Sequence, residues 1–278
     1  MYDFKVGDIV ARKSYGGDIY FRIADIIEKS GGKQTYILKG LFYRIEADSN
    51  GDDLVKQDTG VAYRSIEKDI YTARNNMYRN ASTMNRARIF PFLRLSTEPG
   101  RILHIDADES FLNMCLRHYK EYRIPAVGKL AKESEQPGVV RKYLETYRPN
   151  VLVLTGHDSF KKNSDKNNIG SYSNSKYFIE SARIARKYES NPDRLCIFSG
   201  ACQSYYEQIM DAGANFASSP GRILINALDP AFVAQKISLT DSRTAVTPDK
   251  AVALTISGSK GIWGINTKGQ LKARYAFM

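Results

Sequence analysis

Between residues 101 and 237, short apolar runs alternate with segments of helical period, and this alternation constrains the fold more than any other feature. Arg101-Ile-Leu-His-Ile reads as a strand. Glu109 to Tyr122 comes next, with Leu112, Leu116 and Tyr119 at helical spacing. Ile124-Pro-Ala-Val-Gly is a second strand, and Val139 to Tyr147 is a helix with Val140, Leu144 and Tyr147 on one face. Val151-Leu-Val-Leu-Thr is an unbroken apolar run, as in strands buried on both sheet faces. A helix over Lys176 to Tyr188, a strand over Leu195 to Ser199 and a helix over Gln203 to Ala212, stopped by Gly213, come next. A strand over Arg222 to Asn226 and a short helix over Pro230 to Ile237 complete the series. Crossovers of this length carry a helix back over the sheet, so the expected class is α/β with a doubly wound, mostly parallel sheet. Beyond it, Thr247-Pro-Asp-Lys opens a helix with Pro in the first turn, and Gly261 to Arg274 reads as a hairpin around Asn266-Thr-Lys-Gly.

The first 58 residues have a different texture. Strands starting at Asp8, Ile19, Thr35 and Phe42 are separated by turns at Tyr15-Gly-Gly-Asp and Ser30-Gly-Gly-Lys, and Asn50-Gly-Asp-Asp ends the last. Short strands with glycine turns predict a small antiparallel β-barrel, SH3-like or similar. The expected organisation is a barrel over 1–58, a basic, partly helical linker over 59–98 and an α/β domain over 99–278.

Of 278 residues, 42% are hydrophobic and 26% charged, the balance of a globular chain. No apolar stretch approaches the roughly 20 residues of a membrane helix, and no signal peptide is evident at the start, so no membrane partner and a cytoplasmic location are expected. The net charge of +11 raises the possibility of an anionic partner. Much of the excess lies in the linker, where Arg64, Lys68, Arg74, Arg79, Arg86, Arg88 and Arg94 face Glu67 and Asp69. A solvated basic linker explains this better than a nucleic-acid arm.

Chemistry in an open parallel sheet gathers at the carboxyl ends of the strands. Those ends carry Asp106 and Asp108, then His157, then Cys202, then Asp229. The chain has three cysteines, none in a C-x-x-C pair, so neither a disulfide framework nor a zinc knuckle is supported. Cys196, inside an apolar strand, and Cys115, inside a helix, read as core residues. His104 reads as a core histidine, and His118 falls on the charged side of its helix. Cys202 and His157 each come after an apolar block broken by small residues, on presumed successive strands. A thiol needs a base to become a nucleophile at neutral pH, and histidine is the usual one. With Cys202 at a helix start, the helix dipole would favour the thiolate. An enzyme with a Cys202 nucleophile and His157 as its base is the expectation, with no metal or cofactor required. A Cys-dependent amidase is disfavoured because every histidine precedes Cys202, and a nucleic-acid-binding or scaffold protein remains the non-enzymatic alternative.

The blocks Val151-Leu-Val-Leu-Thr-Gly-His157 and Leu195-Cys-Ile-Phe-Ser-Gly-Ala-Cys202 resemble those of caspase-like cysteine peptidases, at a spacing near the roughly 50 residues of caspases. Further phrases are Val10-Ala-Arg-Lys-Ser-Tyr, Leu103-His-Ile-Asp-Ala-Asp-Glu, Tyr147-Arg-Pro, Thr155-Gly-His-Asp, Gly200-Ala-Cys-Gln-Ser and Gly213-Ala-Asn-Phe-Ala-Ser-Ser-Pro. Together they resemble the YabG sporulation-specific peptidases of spore-forming bacteria. The resemblance implies a caspase-like fold and an endopeptidase that cleaves after Arg. It also implies protein substrates in the spore coat, cortex-lytic or germination machinery, and action in the mother cell or on the developing spore. His157 and Cys202 would be catalytic, and the backbone N–H groups of Asp158 and Cys202 would hold the oxyanion. Asp158 stands where the caspase pattern has Gly. An arginine pocket needs a carboxylate, for which Asp106 is favoured over Asp108, with Asp229 as a third candidate. Helix capping is the plain alternative for Asp108 and Asp229. Arg74, Arg79 and Arg88 would be potential self-cleavage sites.

Overall fold

The computed structural model describes residues 3–29, 33–65, 67–68, 70–71 and 95–275. The chain divides into two compact units, Met1–Thr72 and Ala73–Met278.

The first unit is a five-stranded antiparallel sheet of β1 (Ile9–Arg12), β2 (Phe21–Lys29), β3 (Lys33–Gly40), β4 (Glu46–Asn50) and β5 (Leu54–Lys56). Its order is β4-β3-β2-β1-β5. Alternation along β2 sends Phe21 and Ile23 inward and Arg22 outward, and these pack with Val10, Tyr36, Leu38 and Leu54 as a small core. A 3-10 turn, Gly51–Asp53, leads into β5, and Asp53 accepts bonds from Ser14 N–H (2.7 Å) and Oγ (2.8 Å). The fourth strand starts at Glu46 rather than Phe42, because Leu41 to Ile45 form the turn after β3. Residues 59–65 are helical. Arg74, Arg79 and Arg88 lie outside the described residues.

The second unit is built on a six-stranded sheet ordered β13-β11-β10-β9-β7-β8. Its parallel strands are β7 (Ile102–Asp106), β8 (Ala126–Leu130), β9 (Val151–Thr155), β10 (Cys196–Ser199) and β11 (Phe216–Ser218), and β13 (Ile262–Gly264) is antiparallel at one edge. The helices between them are α1 (Glu109–Glu121), α2 (Gln136–Tyr147), α3 (Ser175–Tyr188) and α4 (Tyr206–Asp211), with α5 (Asp229–Leu239) after β11. β7, β9 and β10 are buried at every position, as continuous apolar runs predict for central strands. Leu103, Leu152, Leu154 and Ile197 from the sheet pack with Leu144 of α2 and Phe178 of α3.

Four details differ from expectation. The fifth parallel strand is Phe216–Ser218, and Arg222 to Ile225, although Ile223, Leu224 and Ile225 are apolar, form a loop that opens with Arg222 at φ 54. The second strand runs two residues further, to Leu130. Helix α4 begins at Tyr206, so Cys202 lies in a turn and not at a helix start. The expected C-terminal hairpin is dispersed. β13 joins the main sheet, β14 (Thr267–Lys268) pairs with β12 (Ala245–Val246), and β15 (Lys272–Tyr275) pairs with β6 (Leu95–Glu98). A period-two pattern reveals strands but not their partners.

Candidate active site

β9 and β10 are parallel neighbours with Ser199 opposite Leu154, so the residues after them emerge side by side at one end of the sheet. His157 comes from the first and Cys202 from the second. Gly200, at φ +110, turns the chain after β10. The positive φ favours glycine, and a Cβ there would also press on Ile209 at 3.2 Å and Ser218 at 3.3 Å.

The Cys202 side chain is buried, and Ile225 N–H points at its Sγ from 3.2 Å. The thiol in turn points at Ile225 O from 3.8 Å. The Ser219–Ile225 segment packs along this turn. Gln203 N–H donates to Ile223 O (3.1 Å) and Ser219 Oγ (3.0 Å), with Gln203 at φ 57. Arg222 anchors the segment through Glu207 and the Tyr172 hydroxyl, the latter at 2.8 Å.

The His157 ring lies between two carboxylates. Glu133 Oε1 is 3.5 Å from Nδ1 and Asp108 Oδ2 is 3.8 Å from Nε2. Glu133 Oε1 also accepts the His157 backbone N–H at 2.7 Å. Burial pushes the Glu133 carboxyl up, but the bonds from the His157 ring and backbone outweigh it and leave its pKa below the ordinary value. A Cβ on Gly156 would collide with the Glu133 carboxyl group and come within 3.0 Å of Ala107 Cβ, so the glycine before His157 makes room for this contact. Phe111 flanks the ring at 6.1 Å between centroids.

Asp158 is buried, and its side chain joins the two loops. Oδ2 accepts from Ser204 Oγ (2.9 Å) and from Ser175 Oγ, and Oδ1 accepts from Asn174 N–H (2.7 Å) and Ser159 N–H (2.9 Å). Burial raises its pKa despite these bonds. Ser204 Oγ accepts Ala201 N–H in turn, so the network reaches the residue before Cys202. The Asp158 backbone N–H donates to no acceptor among the described residues.

Asp106 is fully buried, taking Asp108 N–H at 3.0 Å and facing His104 Nε2 at 3.4 Å. Asp108 caps α1 through Ser110 and Phe111 N–H, the plain alternative for this residue, while its other oxygen faces His157. Asp229 is fully buried at the start of α5, where it accepts Ile256, Ser257 and Asn226 N–H. Burial pushes its pKa up to about 6. The structure therefore brings Asp108 to His157 and directs the carboxylates of Asp106 and Asp229 to internal partners. Cys115 and Cys196 are core residues as expected, and His104 bonds Tyr119 and Thr155 in the interior. His118 departs from expectation: it is buried and bonds Gln235 at 2.5 Å. Glu133 is a site residue that the pattern of residues does not disclose. With the second strand ended at Gly128, nothing shows that Lys132-Glu133 lies just beyond a strand end.

The model of the YabG peptidase U57 family matches residues 5–276. The chain belongs to the YabG peptidase U57 family. Among the relatives of this YabG-family chain, the sporulation-specific protease YabG of Bacillus subtilis (strain 168) is 36% identical over 286 residues, covering 97% of each protein. No solved structure matches the chain. Membership makes the protein a peptidase, a hydrolase of peptide bonds. No helix among the described residues is long and apolar enough to cross a membrane, and no cluster of His, Cys, Asp and Glu among them could hold a metal ion.

Proposed function

We propose that this YabG-family peptidase is a cysteine endopeptidase with Cys202 as nucleophile and His157 as general acid and base. The observation that carries the reading is the emergence of these two residues from adjacent parallel strands, with Asp158 bonded to the Cys202 turn. The Cys202 thiolate attacks the scissile carbonyl carbon, and the carbonyl electrons move to oxygen. Backbone N–H groups of Cys202 and Asp158 steady that oxyanion. The C–N bond then breaks as His157 gives a proton to the leaving amine. Water, losing a proton to His157, hydrolyses the thioester and frees Cys202.

A caspase-like architecture for the second unit is supported by its strand order, 2-1-3-4-5 in chain sequence with an antiparallel sixth strand at the edge. For the first unit, an SH3-like barrel is supported by three meandering strands and a 3-10 turn that returns β5 to β1. Cleavage after Arg is part of the proposal, with Asp108 the best placed of the three aspartates because it stands beside His157. The substrates we infer are proteins of the spore coat and germination machinery, handled in the mother cell or developing spore. The relative's name, a sporulation-specific protease, supports the setting. Self-cleavage at Arg74, Arg79 or Arg88 fits the same specificity.

Cys202→Ala and His157→Ala should each abolish cleavage of a peptide amide ending in Arg while leaving the circular dichroism spectrum unchanged. Asp108→Asn keeps a capping oxygen but removes the charge, and should weaken cleavage after Arg by about tenfold or more. Cleavage by Cys202→Ala would reject the mechanism, and an unchanged Arg preference in Asp108→Asn would reject that residue's role.

A further inference from the structure

The segment between β8 and α2 carries two carboxylates that the two-residue mechanism leaves unused, Glu135, which accepts Lys132 N–H at 3.1 Å, and Glu133. Glu133 sits three residues beyond the end of β8 and turns back toward the end of β9, two strands away in the sheet order. One oxygen, Oε1, meets the same histidine twice, at the backbone N–H (2.7 Å) and near Nδ1 (3.5 Å). The contact is built in. Gly156 has no Cβ to block it, Glu133 is mostly buried, and Gln136 Nε2 bonds Thr155 O at 2.8 Å, which secures the start of α2 to the strand that bears His157. A surface ion pair formed by chance would show none of these supports.

We propose that Glu133 is the positioning residue of His157. Its carboxylate holds the proton on Nδ1 and fixes the ring plane, so that proton transfer to the leaving group and from water runs through Nε2. An imidazole that has one nitrogen committed to a carboxylate acts with a single tautomer and a stabilised cation. The charged groups that face the ring are Glu133 from the segment after β8 and Asp108 from the end of β7, with the Phe111 ring of α1 beside them. Asp108 approaches Nε2, so the two carboxylates have different tasks. Asp108 lies on the side where chemistry occurs, and Glu133 lies behind the ring.

The inference rests on the His157–Cys202 reading, and the test separates the two. Wild type, Glu133→Gln, Glu133→Asp, Glu133→Ala and Cys202→Ala of the full chain are assayed on casein and on a fluorogenic peptide amide ending in Arg. The three histidines are tracked in parallel by NMR, with His157→Ala to assign the active-site signal. Glu133→Gln retains an acceptor for the backbone N–H and so keeps the loop folded. It should weaken the hold on Nδ1, so that the ring 15N shifts of His157 report a mixture of the two neutral tautomers in place of one. Glu133→Ala should lower kcat on the order of 100-fold with little change in KM, and Glu133→Asp should recover part of it. A purely structural glutamate would lower the folded fraction without changing the His157 tautomer balance or the split between kcat and KM. Loss of activity in Cys202→Ala with an unchanged His157 tautomer balance in Glu133→Gln would overturn the Glu133 role alone. Full activity in Cys202→Ala would overturn the dyad, and this inference with it.

Discussion

Asp158 Oδ2 accepts a hydrogen bond from Ser204 Oγ at 2.9 Å, joining the residue after the histidine to a residue two positions beyond the cysteine. The same carboxylate serves Ser175, Asn174 and Ser159, so one buried side chain sets the separation of the loops that carry His157 and Cys202. Removing it in Asp158→Ala strands several buried donors. The expected cost is about 3 kcal/mol of stability by urea unfolding, with a loss of cleavage larger than the loss of folded protein. Wild-type activity in Asp158→Ala would show that the loops are held apart by other means. A backbone oxyanion role for Asp158 is untouched by this substitution, because the N–H remains.

Asp229 gives a pH signature. Folded, it keeps its proton up to about pH 6, whereas its ordinary value is 3.8, because burial disfavours the charge. The folded state therefore binds more protons between these values, and stability from this group falls as pH rises through the window. The full change is about 3 kcal/mol, from the separation of the two pKa values. Urea unfolding from pH 3.5 to 7 should show a slope in wild type that Asp229→Asn lacks. Parallel slopes in the two proteins would reject an ionisation cost at Asp229.

Thiol reactivity should report the segment that lies along Cys202. Burial pushes the Cys196 thiol up to about 12, and Cys115 is equally enclosed, so iodoacetamide near pH 8 should modify neither in native protein. Cys202 is also buried, with Ile225 against its sulfur, so its labelling requires Ser219–Ile225 to shift. Arg222→Ala removes the bonds to Glu207 and Tyr172. A lost charge-assisted bond of about 1.5 kcal/mol predicts roughly tenfold faster labelling of Cys202, read by peptide mass mapping. An unchanged rate would mean that Arg222 does not restrain access.

The two strands that lead to His157 and Cys202 are legible in the residues. Val151–Thr155 and Cys196–Ser199 are central strands whose unbroken apolar runs announce burial on both faces, and topology then places the residues at their carboxyl ends. Three things are harder to read. Arg222 to Ile225 has the composition of a strand, but the parallel position beside β10 is taken by Phe216–Ser218, and sheet membership is decided by tertiary pairing. The two-residue slip at β8 conceals Glu133, since a strand boundary is set by hydrogen-bond partners that the residues themselves do not specify. Asp106 and Asp229 look like substrate-facing carboxylates. Asp106 instead takes the N–H of Asp108 and faces His104 in the interior, and Asp229 takes the N–H groups of Ile256 and Ser257 from a loop distant in sequence.

The central claim is tested most directly by exposing spore protein extract to wild type, Cys202→Ala and Cys196→Ala and mapping the new N-termini by mass spectrometry. The expected result is cleavage by wild type and Cys196→Ala, with Arg preceding each new N-terminus, and none by Cys202→Ala of unchanged fold. New N-termini generated by Cys202→Ala at a rate near that of wild type would contradict it.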